Sequence, residues 1–242
     1  MNESEPSLLV VDDEPDTCAN LADIFGDLGY RVDVAYDGAA ALKLFERHRY
    51  DVALLDLKMP GMSGLELYRH IRQISAGTVA IVVTAYAGGE TAQSVLDAGA
   101  WKIVSKPVDF PQLMHLVGEA LDRPLVLVVD DDHDLCDALW DLFQEYGFRV
   151  CLAHDGSDAA KLIDEQAFDV ALIDMVLPAG SGTEVLQRVR EQNPQTRAIL
   201  ITGYRSEVDE RIQEALKSGA DAVCYKPFDL PQLLQTVEKL AK

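Results

Sequence analysis

The chain has 242 residues, 48% of them hydrophobic, and a formal net charge of −20, which allows sizeable cores but argues against a nucleic-acid surface, where phosphates demand a basic face. Residues 1–122 carry nine Lys and Arg against nineteen Asp and Glu, and residues 123–242 twelve against twenty-two, so each half stands at −10. No apolar run approaches the roughly 18 to 20 residues needed to span a bilayer, and Met1 to Ser7 is polar and acidic where a signal peptide is basic then apolar; the expectations are a cytoplasmic protein, no membrane insertion and no direct DNA binding.

Along the chain, apolar runs of four to six residues alternate with longer stretches of 3.6-residue period. Strands are predicted at 8–11, 31–35, 51–55, 79–84 and 102–104, and helices at 15–28, 38–48, 64–75, 90–98 and 109–121. The pattern then repeats, with strands at 125–129, 149–153, 169–173, 197–201 and 222–225 and helices at 133–146, 156–166, 182–192, 206–218 and 229–241. Strict alternation of this kind gives a parallel sheet covered by helices on both faces. Pro15 suits a first helical turn, Gly29 and Gly147 suit C-terminal caps, and Asp37-Gly38 and Asp155-Gly156 suit the entry to each second helix. The fold class is α/β: two tandem (βα)5 doubly wound domains, 1–122 and 123–242, each with strand order 2-1-3-4-5. The linker Leu121-Asp122-Arg123-Pro124 is short and stiffened by its proline. Cys18 and Cys136 fall at matching helical positions and Cys151 and Cys224 in strands, without metal-type spacing, so all four are expected to be reduced core thiols.

The repeat carries chemistry as well as fold. Val10-Val11-Asp12-Asp13 recurs as Val128-Val129-Asp130-Asp131, Leu54-Leu55-Asp56 as Leu172-Ile173-Asp174, and Val83-Thr84 as Ile201-Thr202, each 118 positions apart. Ser105-Lys106-Pro107 returns as Tyr225-Lys226-Pro227, offset by 120. In a 2-1-3-4-5 sheet, strands 1 and 3 are neighbours at the switch point, and all five groups of each half meet at the C-terminal edge. Three carboxylates so close need a cation, and Mg²⁺, a hard ion with oxygen ligands, fits. A carboxylate beside it can attack phosphorus, provided charge on the equatorial oxygens meets fixed positive groups. Asp56 is the expected nucleophile, Lys106 the point charge and Thr84 the hydroxyl donor; Asp174, Lys226 and Thr202 take those roles in the second half, with Asp130 and Asp131, like Asp12 and Asp13, for metal.

Both halves resemble the receiver domain of bacterial two-component response regulators, whose fold is flavodoxin-like. The resemblance is carried by the acidic pairs, by Asp56-Leu57-Lys58-Met59-Pro60-Gly61-Met62-Ser63-Gly64 and Asp174-Met175-Val176-Leu177-Pro178-Ala179-Gly180-Ser181-Gly182, and by the Thr and Lys-Pro positions. It implies phosphoryl transfer from a histidine kinase or phosphotransfer histidine onto Asp56 and Asp174, with the backbone carbonyls of Lys58 and Val176 completing the Mg²⁺ shell. It also implies signalling through a downstream protein, and admits a homodimer. Ile103 and Val223 stand where receivers commonly carry an aromatic residue three places before the lysine; Trp101 and Tyr225 lie nearby in the wrong phase.

Several features have plainer readings. Tyr86 and Tyr204, two after each threonine, gate the pocket or simply pack half-exposed. Lys58 reaches over the pocket or is solvated, and Val176 offers no such charge. His133 adjoins the second acidic pair, but its alignment with Pro15 makes it a helix start. His48, His70, His115 and His154 read as surface or partly buried residues. With nothing after Lys242 to form an effector, output by protein contact is expected, or the chain is part of a larger protein. Two other functions compete: a metal-dependent aspartyl phosphatase, weakened because Lys58 or Val176 replaces the acid two residues after the nucleophile, and a receiver pair in which one domain only docks or dimerises.

Overall fold

In a computed structural model, residues 5–85, 90–203, 216–217 and 219–242 are described. Tyr86, Tyr204 and the predicted helix over 206–218, apart from Leu216 and Lys217, lie outside the described residues. The chain divides into two compact units, Met1–Arg123 and Pro124–Lys242.

The first unit runs β1 (Ser7–Val11), α1 (Pro15–Asp27), β2 (Arg31–Ala35), α2 (Gly38–Phe45), β3 (Val52–Leu55), α3 (Gly64–Ile74), β4 (Val79–Thr84), α4 (Glu90–Asp97), β5 (Lys102–Ser105) and α5 (Phe110–Leu121). Its strands are all parallel, in the order β2-β1-β3-β4-β5. Alternation along each strand feeds two cores. Leu8 and Val10 pack with Cys18, Leu21 and Phe25 of α1 and Leu113 and Val117 of α5. Leu9 and Val11 turn to the other face, against Ala41 of α2, Leu67 and Ile71 of α3 and Val95 of α4. Fully burying one such leucine or phenylalanine contributes about 2 kcal/mol, so the central strands, buried on both sides, anchor the edge that follows them.

The second unit repeats this plan: β6 (Leu125–Val129), α6 (His133–Glu145), β7 (Arg149–Ala153), α7 (Gly156–Glu165), β8 (Val170–Asp174), α8 (Gly182–Gln192), β9 (Arg197–Thr202), β10 (Ala222–Tyr225) and α9 (Leu230–Leu240). The order β7-β6-β8-β9-β10 is again 2-1-3-4-5 within its domain. Both units are thus flavodoxin-like doubly wound domains.

Helix ends follow the punctuation. Pro15 opens α1, and the Asp37 and Asp155 carboxylates accept from the N–H groups of Ala40 and Asp158. Gly29 and Gly147 take φ of 87° and 86°; beyond them Tyr30 and Phe148 N–H return to the carbonyls of Phe25 and Phe143, and each pair of rings meets edge to face. α2 ends at Phe45, short of the predicted 48, where Arg47 N–H turns onto the Leu44 carbonyl, three residues back, in place of the regular bond to the fourth residue back.

Candidate functional site

The strand ends of the first unit converge through backbone hydrogen bonds that outlast the strands. Asp12 N–H donates to Ala35 O (3.2 Å), Asp56 N–H to Val11 O (2.9 Å) and Lys106 N–H to Thr84 O (2.9 Å). Asp12, Asp56 and Thr84 are buried and Asp13 is exposed. One carboxylate oxygen from each of Asp12, Asp13 and Asp56 lies within 4.8 Å of the others, and the same holds for Asp130, Asp131 and Asp174. That donor set, all oxygen and all anionic, fits a hard divalent cation. The Lys106 ammonium stands 2.7 Å from Asp12 Oδ2, 3.7 Å from Asp56 Oδ2 and 3.8 Å from Glu14 Oε2. Lys226 is drawn in further, 2.6 Å from both Asp130 Oδ2 and Asp174 Oδ2. Thr202, buried at the end of β9, accepts Lys226 N–H on its carbonyl at 2.7 Å.

The loop after β3 is shaped by two close approaches. Gly64 lies so near the Asp56 carbonyl that a Cβ there would overlap it, and Gly182 stands the same way to Asp174. The preceding Ser63 and Ser181 form reciprocal capping boxes with Glu66 and Glu184, fixing where α3 and α8 begin. Asp56 Oδ1 accepts from Leu57 N–H (2.8 Å), whereas Asp174 Oδ1 accepts from Val176 N–H (2.9 Å). The side chains of Lys58 and Val176 are exposed.

Burial pushes the Asp56 carboxyl up; the Lys106 charge opposes that, Asp12 adds to it, and hydrogen bonds from Thr84 and Leu57 pull it back. Burial likewise raises Asp130 against the pull of Lys226. Burial works against the charges of Lys106 and Lys226, but their carboxylate partners overcome it and hold both ammonium groups above the ordinary lysine range. With its pKa raised, native Asp56 takes up a proton at higher pH than the unfolded chain does, so its ionised form costs stability above that raised value. Asp56→Asn is therefore expected to stabilise the first domain at neutral pH, and the gain to shrink as pH falls through the raised pKa. Urea denaturation in neutral and mildly acidic buffer checks both signs, and an unchanged or less stable variant at neutral pH would contradict them.

The structure adds residues that sequence reasoning did not assign. The Cys18 and Cys136 thiols donate to the carbonyls of Asp12 and Asp130, each at 3.3 Å, and burial raises them to about 11 and about 12. Their matched positions in the repeat were the signal. Cys151 is also buried and Cys224 partly so, and none of the four is in a disulfide. His154, expected at the surface or partly buried, comes within 3.3 Å of the Asp130 carbonyl through Nδ1, and the His133 ring stacks on it with centroids 3.8 Å apart. His133 opens α6, as its alignment with Pro15 implies. Ile103 and Val223 pack partly buried against the cores under α3 and α8.

A doubly wound parallel domain with three carboxylates and a lysine at its switch point, present twice, is the architecture of a signalling receiver. The response regulator receiver domain family matches residues 8–118 and again 126–238, and the chain belongs to that family. A response regulator receiver protein of Anaeromyxobacter sp. is 33% identical over 232 residues, which cover 96% of this chain and 94% of that protein. The transcriptional regulatory proteins ZraR and CpxR of Escherichia coli are 37% and 35% identical over 47% and 48% of this chain, which span 25% and 49% of their own lengths. Among solved structures, a CheY-like receiver domain protein of Methanospirillum hungatei (32% identity, TM-score 0.47) matches 49% of this chain and 94% of its own. The response regulator TrrA of Thermotoga maritima, in complex with Mg²⁺ and BeF (36%, 0.44), matches 48% and 98%. Among the described residues, no helix is long and apolar enough to cross a membrane.

Proposed function

We propose that the chain is a tandem-receiver response regulator, with domains 1–122 and 123–242, that accepts phosphoryl groups on Asp56 and Asp174 from a histidine kinase or phosphotransfer histidine. The observation that carries this reading is the duplicated set of three clustered carboxylates, each with a lysine ammonium against it. Asp12, Asp13, Asp56 and the Lys58 carbonyl would hold Mg²⁺ in the first domain, and Asp130, Asp131, Asp174 and the Val176 carbonyl in the second. When bound, the ion supplies positive charge to one phosphoryl oxygen.

The chain's own groups do the rest. An Asp56 carboxylate oxygen attacks the phosphorus of a phosphohistidine; the new O–P bond forms as the P–N bond breaks, and the imidazole leaves with the electron pair. Lys106 meets charge on a second equatorial oxygen and the Thr84 hydroxyl donates to the third. Asp174, Lys226 and Thr202 act likewise. The domain is a phospho-acceptor, with transfer and loss of its own phosphoryl group as its only chemistry. Output is through phosphorylation-dependent contact with a downstream protein in the cytoplasm, and the net charge of −20 disfavours direct DNA binding.

The whole-protein mass after incubation with Mg²⁺ and a small phosphodonor tests this. Two added phosphoryl groups are expected in the wild type, one in Asp56→Asn or Asp174→Asn, and none in the double variant. One group in the wild type would reduce the other domain to a docking module, and steady turnover of unrelated phosphomonoesters would replace the proposal with a phosphatase.

A further inference from the structure

The two sites share their reactive residues but differ one step away, at the residue before the first helix of each domain. Asp132 caps α6, its Oδ1 accepting Leu135 N–H at 3.1 Å. At the same position in the first domain Glu14 makes no side-chain cap; its extra methylene suits it poorly to that short reach. Instead, Glu14 Oε2 accepts the Thr17 hydroxyl at 2.9 Å and stands 3.8 Å from the Lys106 ammonium. Thr17 aligns with Leu135, which has no hydroxyl to offer. The lysines rest accordingly. Lys226 binds both Asp130 and the acceptor Asp174 at 2.6 Å, whereas Lys106 binds Asp12 at 2.7 Å and stands 3.7 Å from the acceptor Asp56.

A cation entering either pocket competes with the lysine for the same carboxylates. In the second domain it must loosen two short ion pairs, one of them to the acceptor; in the first, the acceptor is already largely clear. Resting on the phospho-acceptor reading above, we infer that Glu14, held by Thr17, is a positioning residue that draws Lys106 off Asp56, so that the first domain binds Mg²⁺ more tightly and fills with phosphoryl first when Mg²⁺ is limiting. Glu14 touches neither phosphorus nor acceptor. Its influence is that of a partly exposed ion pair, up to about fivefold in a binding constant.

Calorimetric titration with Mg²⁺ alone, on the full chain with one site disabled by Asp131→Asn or Asp13→Asn, reads the difference without any phosphoryl chemistry. The first site is expected to bind more tightly by up to about fivefold. Glu14→Asp keeps the charge but supplies a residue that caps the helix, and should bring the first site down to the affinity of the second. Thr17→Val should do the same in part, and Asp132→Glu with Leu135→Thr should tighten the second site. Equal affinities at the outset, or a Glu14→Asp variant that binds Mg²⁺ as the parent does, would overturn the inference. Failure of Asp56 to take a phosphoryl group while these affinities shift as stated would instead count against the phospho-acceptor reading, leaving the placement of Lys106 intact.

Discussion

Lys226→Met is expected to destabilise the second domain by about 3 kcal/mol at neutral pH, because removing one partner strands buried charge. The Asp130 side chain is fully buried and that of Asp174 is 9% exposed, and one ammonium serves both at 2.6 Å. Lys226 is held above the ordinary lysine range, so its contribution is complete at neutral pH and is lost only as pH rises through that raised value. In the variant the loss should shrink toward acid. Asp130, raised by burial, takes up its proton in the native state at higher pH than in the unfolded chain, and protonation there removes the stranded charge. Lys106→Met should cost less, since that lysine stands 3.7 Å from Asp56. Urea denaturation followed by fluorescence of the buried Trp140, in a Trp101→Phe background, measures the second-domain effect. A variant as stable as the wild type at neutral pH would show that the carboxylates are not the burden their burial implies.

The second large effect is steric. Gly64→Ala would drive a methyl group into the Asp56 carbonyl, and Gly182→Ala into that of Asp174; both obstacles are backbone, so neither can swing aside. Overpacking of this sort typically costs 1–3 kcal/mol, and the upper end, about 3 kcal/mol, is expected here. Because the displaced carbonyl belongs to the acceptor residue itself, phosphoryl uptake at that site should fall along with the melting temperature. Thermal unfolding and phosphoryl mass measured on the same samples check both. An alanine variant that melts and labels like the wild type would mean that the loop has more room than its geometry allows.

The strand-end aspartates were legible because a run such as Val10-Val11 or Leu54-Leu55 marks a buried parallel strand, and the next residue must then emerge at the sheet edge. The glycines at 29 and 147 declared their caps for a similar local reason: only that residue type readily adopts the left-handed conformation found there. The end of α2 was not legible, since the helical period continues to His48 and the interruption is the three-back bond from Arg47 N–H to Leu44. Long-range side-chain choices were hidden too. Nothing local says that Cys18 will reach the Asp12 carbonyl or that His154 will lie on that of Asp130. The Glu14 and Asp132 difference was visible as letters, but its meaning depends on where Lys106 and Lys226, more than ninety residues away, come to rest. Tertiary packing decides such pairings, and a repeat can only point to the positions where they will differ.

In the proposed function Asp56 and Asp174 themselves carry the phosphoryl groups. Borohydride reduces an acyl phosphate to the alcohol, so treating the Mg²⁺ and phosphodonor reaction with borohydride, then digesting and sequencing the peptides by mass spectrometry, locates the label chemically. Conversion of the Asp56 and Asp174 side chains to homoserine is expected, dependent on both Mg²⁺ and donor. Reduction at other carboxylates, or phosphoryl groups found on serine, threonine or histidine with both aspartates intact, would contradict it.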